Sequence, residues 1–559
     1  MYNKHIVTLI FLALGLHIGV AQDDEKDLGT ETVTVTKAYT PTVSDAFKIK
    51  SVPNLNDSIV LQKKPITYSI FSVPVASTFS PSKGTASKVE KLPTPQLFNS
   101  YASFGAGNYG NVLGEFYTSR TINRDENFDV GFNHLSSRGG IKGVELNNTF
   151  YDTNLDASYA KRDRDLDWGA AIGLQHQLYN WYGIPEGEFS ETELNGIDER
   201  QNYFMGEASA HINVEDAFLK RADIKYRRFF DALSSGENRA IFNTNFEFPM
   251  NEEAFAVKVK VDYVGGTFAN DGYNPTINSA PINYSNLQAG INPSLKMLRD
   301  DLSLNLGVNL VYGMDLENSE SNFYIYPAVT ASYRLLDESV IAYGGVTGEL
   351  KQNSYYDFVE ANPFVSPTLT IAPTDSPYNR KPLFILNPQE NSRSDDNGYF
   401  LGNSFQVFYD DIKTLGIFGE LNVDVNRNFT LGVNAEVYDY NTETGNPAWN
   451  LPNLKASLFM DYQIGEKWFM GANLFYVGER DDFSSELTSG SANPQPGIDT
   501  PITLEGYFDA NAHVGYRFND QLSFFIKGAN LSNNEYQRWA NFQVQGIQVL
   551  GGATYKFDF

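Results

Sequence analysis

Four histidines follow the first 21 residues, His134, His176, His211 and His513, and their scatter limits the chemistry open to this chain. A metal site needs ligands at short, repeated spacings, and these four share none. His134 stands beside Ser136 and Ser137, the one place where a base adjoins a hydroxyl that acyl transfer could use. Neither an orienting acid nor an oxyanion hole can be named for it, so a polar strand end is the expected role and no enzymatic activity is expected. Asp395-Asp396-Asn397-Gly398 and Asp481-Asp482 offer carboxylates to calcium, but without the regular oxygen spacing of a dedicated loop. Phosphate loops and dinucleotide fingerprints are absent, so no cofactor is expected. The segment that most invites a binding role is Glu31-Thr32-Val33-Thr34-Val35-Thr36. An extended, β-branched run of this kind can add as a strand to the edge of a partner's sheet, with backbone hydrogen bonds supplying the affinity.

Residues 1–21 carry Lys4 and His5, an apolar run from Ile6 to Val20 and small residues at Gly19 and Ala21 before a polar stretch. This is the pattern of a cleaved secretory signal peptide. No second apolar run of ~20 residues follows, which excludes a helical membrane protein. The chain has no cysteine, hence neither a lipid-anchored cysteine nor a disulfide framework. Aromatic residues make up 14%, with 33 Tyr and 40 Phe, although mean hydropathy is negative. Aromatics enriched without overall hydrophobicity suit girdles at two membrane interfaces. The net charge of −26 would be repelled by nucleic acid, so no nucleic-acid partner is expected.

After Leu97 the apolar residues recur at every second position. Leu302, Leu304, Leu306, Val308, Leu310 and Tyr312 alternate with Ser303, Asn305, Gly307 and Asn309. Phe429, Leu431, Val433, Ala435 and Val437 repeat the pattern, as do Phe255, Val257, Val259, Val261 and Tyr263. Runs of this length match the ~9 to 11 residues of a tilted membrane strand rather than the shorter strands of a soluble sandwich. The chain ends on Val549, Gly551, Ala553, Tyr555, Phe557 and Phe559 on one face, a closing strand whose Tyr555, Phe557 and Phe559 would also serve as an insertion signal. Short links at Arg124–Glu126, Leu298–Asp301, Leu336–Glu338, Asn426–Asn428, Gly465–Lys467 and Asn519–Gln521 alternate with long polar loops. Those loops are Trp181–Arg200, Gly266–Tyr284, Asn362–Gly402, Thr442–Pro452 and Glu479–Thr503, as expected of extracellular loops facing periplasmic turns. The expected fold is all-β: a transmembrane antiparallel barrel of about twenty strands, within a range of about 18 to 22. Trp168, Trp181, Trp468 and Trp539 fall at or near inferred strand ends, where anchoring at the membrane interface accounts for them more simply than sugar stacking does.

Several stretches resemble the barrel part of TonB-dependent receptors, in a form associated with the Bacteroidota. They are Gly107–Tyr117, Asn133–Gly143, Gly402–Thr414, Tyr476–Asp482 and the closing KGANLSNNEY and GGATYKFDF. The resemblance implies a Gram-negative outer-membrane barrel over residues 97–559, inserted by the barrel assembly machinery. In its light Glu31–Thr36 is similar to a TonB box, with the TonB energising system as partner. Two departures accompany it. Residues 22–96 are too few for the family's globular plug, and beyond Asn379-Arg380 one hairpin of the family's barrel looks deleted. Within 22–96, Ile70, Phe71, Val73, Val75 and Phe79 are too apolar for a free linker. They are expected to fill the lumen or cap its periplasmic mouth, together with an infolded Asn362–Gly402 loop. Three functions follow as expectations: a plugless receptor engaged in solute uptake, a scaffold that docks periplasmic or surface lipoproteins or envelope-assembly partners, and a passive porin.

Overall fold

The computed structural model describes residues 97–559, apart from 185, 188, 251–252, 270–280, 337–339, 377–379, 387–401 and 484–500. Twenty antiparallel strands follow one another around a ring. The first seven are β1 (Ser100–Gly107), β2 (Val112–Asn123), β3 (Glu126–Ser137), β4 (Phe150–Arg162), β5 (Leu166–Asn180), β6 (Arg200–Val214) and β7 (Leu219–Asp231). The next six are β8 (Gly236–Met250), β9 (Glu253–Phe268), β10 (Ile282–Arg299), β11 (Leu302–Asp315), β12 (Glu320–Leu336) and β13 (Val340–Thr347). The last seven are β14 (Phe405–Asn426), β15 (Phe429–Thr442), β16 (Leu454–Ile464), β17 (Trp468–Val477), β18 (Tyr507–Arg517), β19 (Leu522–Ala529) and β20 (Gln548–Phe557). The expected number and direction of strands are thus found.

β20 closes the ring against β1, from Ser100 opposite Phe557 to Gly107 opposite Leu550. Tyr555 and Phe557 lie in this closing register and Phe559 just beyond it. The two-residue period sorts the side chains. Leu302, Leu306 and Tyr312 of β11 are exposed on the outer face, while Asn305 and Asn309 between them face the lumen side.

Turn chemistry separates the two ends. On one side every described link is tight: Asn519 Oδ1 accepts from Gln521 N and Leu522 N at 2.9 and 2.7 Å, and Gly465 takes a φ of 59° that favours glycine. On the other side lie the long loops, but the expected alternation of long and short is not strict. Asn108–Asn111, Ala232–Ser235 and Leu316–Ser319 also turn tightly there. Two short helices belong to this side, α1 (Glu191–Leu194) and α2 (Tyr355–Ala361).

Around the ring, neighbouring strands pair antiparallel, with local register shifts in β2–β3, β7–β8, β12–β13 and β14–β15, except at one junction. Among the described residues none joins β13 to β14. The chain between them leaves the wall at Gly348, and Arg380–Leu386 then runs antiparallel beside the first part of β14, from Arg380 opposite Asp411 to Leu386 opposite Phe405, so the infolded stretch begins well before the expected Asn362 and includes α2.

Candidate lumenal site

The infolded stretch builds the most buried part of the molecule, and lumen-facing residues of β5 to β9 hold it there. α2 starts because Ser354 accepts from Asp357 N at 3.1 Å, a standard N-cap. That cap presents Asp357 to two arginines which the β7–β8 register sets directly opposite each other, Arg227 and Arg239. Arg227 Nη2 reaches Asp357 Oδ1 at 3.3 Å and Ser354 Oγ at 3.2 Å, and its guanidinium lies 3.8 Å over the Tyr356 ring. Arg239 donates to Asp357 Oδ2 at 2.7 Å and grips Asp262 of β9 through Nε at 3.0 Å and Nη2 at 2.9 Å. Two like charges on adjacent strands repel; the carboxylate of the infolded stretch between them converts that repulsion into a bridge.

A second contact lies one turn away. Tyr355 OH donates to Asp231 Oδ2 at 2.9 Å, and its backbone N to Glu237 Oε2 at 2.6 Å. Tyr284 OH donates to the same Glu237 oxygen at 2.7 Å. Complete burial pushes the Tyr355 phenol well above its ordinary range, so it remains a donor at any physiological pH. Tyr203 OH donates to Pro363 O at 2.9 Å, Gln177 Nε2 to Glu360 Oε1 at 3.1 Å, and Asn403 Nδ2 to Trp181 O at 2.6 Å. Around these bonds a continuous apolar core joins Phe229, Phe268, Tyr355, Phe358, Val365 and Leu369 to the loop before β20. There Phe364 stacks on Phe542 with centroids 4.1 Å apart. The stretch therefore spans the lumen from β7–β9 to the opposite loop.

Several sequence expectations can be placed. Of the expected infolded loop Asn362–Gly402, the part carrying Phe364, Val365 and Leu369 packs in the lumenal core, while 377–379 and 387–401 lie outside the described residues. Glu31–Thr36 and Ile70, Phe71, Val73, Val75 and Phe79 lie outside the described residues, as does the Asp395–Gly398 cluster. His134 bonds Thr153 Oγ1 at 2.7 Å and Ser136 Oγ at 3.1 Å with no carboxylate among these partners, so no triad forms. Asp481 and Asp482 are engaged by Thr503 Oγ1 and Ala540 N, and no cluster of three metal-ligating side chains occurs among the described residues. Two tryptophans need correction. Trp181 and Trp539 are 1% and 8% exposed and belong to the loop core rather than to a lipid interface, because their loops fold over the lumen. Trp468, 47% exposed at the start of β17, fits the expected anchor. The residues that sequence reading missed are Arg227, Arg239, Tyr355 and Asp357. Only the strand register, which sets the two arginines face to face, could have drawn attention to them.

Ring, loops and infolded stretch together define the architecture of a large antiparallel β-barrel with a partly filled lumen. Solved structures with this architecture are similar to it. One is the siderophore receptor PirA from Acinetobacter baumannii, with 14% identity over 84% of this chain and 81% of that one and a TM-score of 0.59. Another is the FrpB iron transporter from Neisseria meningitidis, with 12% identity over 83% of each chain and a TM-score of 0.61. A third is the outer-membrane ferripyoverdine receptor of Pseudomonas aeruginosa, with 13% identity over 84% and 72% and a TM-score of 0.57. At such identities the likeness is one of fold. No protein-family model matches the sequence, nor does any curated protein.

Proposed function

We propose that this chain is an exported outer-membrane barrel of receptor type that works by docking partners rather than as a standing pore. Residues 22–96 would act as its periplasmic handle and the long loops as its outer face. The observation that carries this reading is the infolded stretch. It is anchored in the wall at both ends and held by the Arg227–Asp357–Arg239 bridge, so a pull on a distant N-terminal segment has no covalent path that would withdraw it. The same obstruction speaks against a passive porin. Energised solute uptake is the second reading, favoured by the TonB-box-like Glu31–Thr36. Ile70, Phe71, Val73, Val75 and Phe79 would fill the lumen or cap its periplasmic mouth.

The test is a mild-detergent pull-down from the native outer membrane, compared with a variant lacking residues 22–95 and read by mass spectrometry. Lipoproteins or assembly factors recovered only with the intact chain support docking; recovery of the TonB energising protein instead would overturn it in favour of uptake. In planar bilayers the same deletion should raise conductance if the segment fills the lumen, and unchanged conductance would remove that role. Substituting Tyr555, Phe557 and Phe559 together by alanine should block insertion, seen as loss of the heat-modifiable band from outer-membrane fractions.

A further inference from the structure

Among the described residues β14 is paired on this side only along Phe405–Asp411, by Arg380–Leu386, and the rest of its edge faces β13 with a geometry specific enough to define a closed state. Gly348 N donates to Pro327 O of β12 at 2.9 Å. Backbone direction alternates along a strand, so Ile341, Tyr343, Gly345 and Thr347 turn their N–H and C=O groups away from β12, toward β14. On the other side Glu443 N donates to Asp411 O at 2.9 Å, so Gly416, Phe418, Glu420 and Asn422 turn theirs toward β13. The side-chain faces agree as well. Tyr343 pairs with Ser332, on the same face of β12 as the lumenal Tyr326, and Phe418 pairs with Glu436 on the lumenal face of β15. The two rings already touch across the gap, with centroids 5.5 Å apart. Setting Tyr343 opposite Phe418 places Ile341 opposite Glu420 and Gly345 opposite Gly416, all with matched face and direction. Rings in contact also leave no room for an inserted hairpin, which would need three strand spacings of ~4.8 Å.

The gap nonetheless separates two different environments. Outside, Leu415, Ile417, Leu421 and Val425 present hydrocarbon and are 53–68% exposed. Inside, Thr330 and Thr347 line a lumenal cavity of about 520 Å³ with Lys258, Lys260, Asn305 and Glu349, a size within the roughly 300–1,000 Å³ of small-molecule sites. Bare strand edges are not stable against lipid chains alone, so an open gap in a bilayer calls for a molecule with polar groups for the edges and apolar groups for the surroundings. We propose that β13 and β14 form a lateral gate, open in this structure and closed by zipping in the Tyr343–Phe418 register, through which an amphiphile with an acyl chain enters the lumenal cavity from the bilayer. The gate goes beyond the docking reading and does not depend on what binds at the loops.

The chain has no cysteine, which makes cross-linking clean. In the closed register Ala342 and Gly419 are directly opposite on the outer face, in the close non-hydrogen-bonded pairing where a disulfide fits. Gly344 and Gly419 would be two residues out of register. An added Cβ meets nothing within 4 Å at either glycine, so the substitutions leave the fold intact. In outer-membrane vesicles under mild oxidation, Ala342→Cys with Gly419→Cys should cross-link at least about tenfold faster than Gly344→Cys with Gly419→Cys. No cross-link in either pair, or equal rates, would overturn the gate. Entry is read separately with bimane on Phe418→Cys in vesicles of phospholipid brominated along the acyl chain. Quenching, lost when the Ala342→Cys/Gly419→Cys disulfide is formed before labelling, supports passage of an acyl chain; absence of quenching, or quenching unaffected by the lock, overturns it.

Discussion

The wall at β7–β9 and the wall at β13–β14 bound the same infolded stretch and treat it in opposite ways. At β7–β9 the start of the incoming helix meets partners prepared for it: Asp357 two arginines, Tyr355 two carboxylates, the Ser354 cap a guanidinium. At β13–β14 the departure and return of the same stretch leave a strand of 8 residues beside one of 22, with no hydrogen bonds between them among the described residues. The difference shows what lumen filling costs a barrel. A filler drawn from the wall itself gains a buried, polar-matched seat on one side and takes wall from the other.

The largest expected effect lies in the seat. Arg239→Ala would leave Asp357 half-satisfied and Asp262, which is fully buried, with only Lys260 at 3.1 Å. Breaking one partner out of a buried ionic cluster costs about 3–5 kcal/mol. The expected outcome is release of the infolded stretch, read as rapid protease cleavage between Gly348 and Phe405 while the barrel remains heat-modifiable. Protection equal to wild type would mean that the bridge does not hold the stretch. Tyr355→Phe is a smaller change at the same seat. It removes the donor at 2.9 Å from Asp231 and leaves that buried carboxylate Gln201 Nε2 at 3.4 Å beside its two backbone donors, Leu233 N and Ser235 N. The cost is about 1–3 kcal/mol, measurable as faster hydrogen exchange in α2 with the strands unaffected.

Much of the barrel was legible because a membrane wall imposes a strict code. Val433 and Val437 must meet lipid and Asn434 and Glu436 must not, so strands, faces and the closing Tyr555–Phe557 register follow from period two. The seat was not legible, because its partners are 118 to 130 residues apart and neither Arg227 nor Arg239 departs from the ordinary polar alternation of its strand. The tryptophans misled for a related reason. Trp181 sits one residue past the end of β5, where an anchor would be, but the chain turns inward there and Asn403 binds its carbonyl. Strand-end position fixes height along the barrel and leaves open whether the next residue faces lipid or lumen.

The smallest expected effect sharpens the contrast. Phe418 is 57% exposed and touches Tyr343 across a gap without hydrogen bonds. An aromatic pair in a packed site adds about 0.5–1.5 kcal/mol beyond its buried area, but an exposed substitution stays within about 0.5 kcal/mol. Phe418→Ala should therefore leave the unfolding midpoint in denaturant almost unchanged, while Arg239→Ala lowers the resistance of the infolded stretch by the several kcal/mol argued above. Comparable losses from the two variants would mean that the junction is closed and packed in the membrane, and that the two walls do not differ in the way the structure indicates. A negligible loss at Phe418 together with a large one at Arg239 locates the barrel's firmness where the filler is seated, and leaves β13–β14 free to move without disturbing that seat.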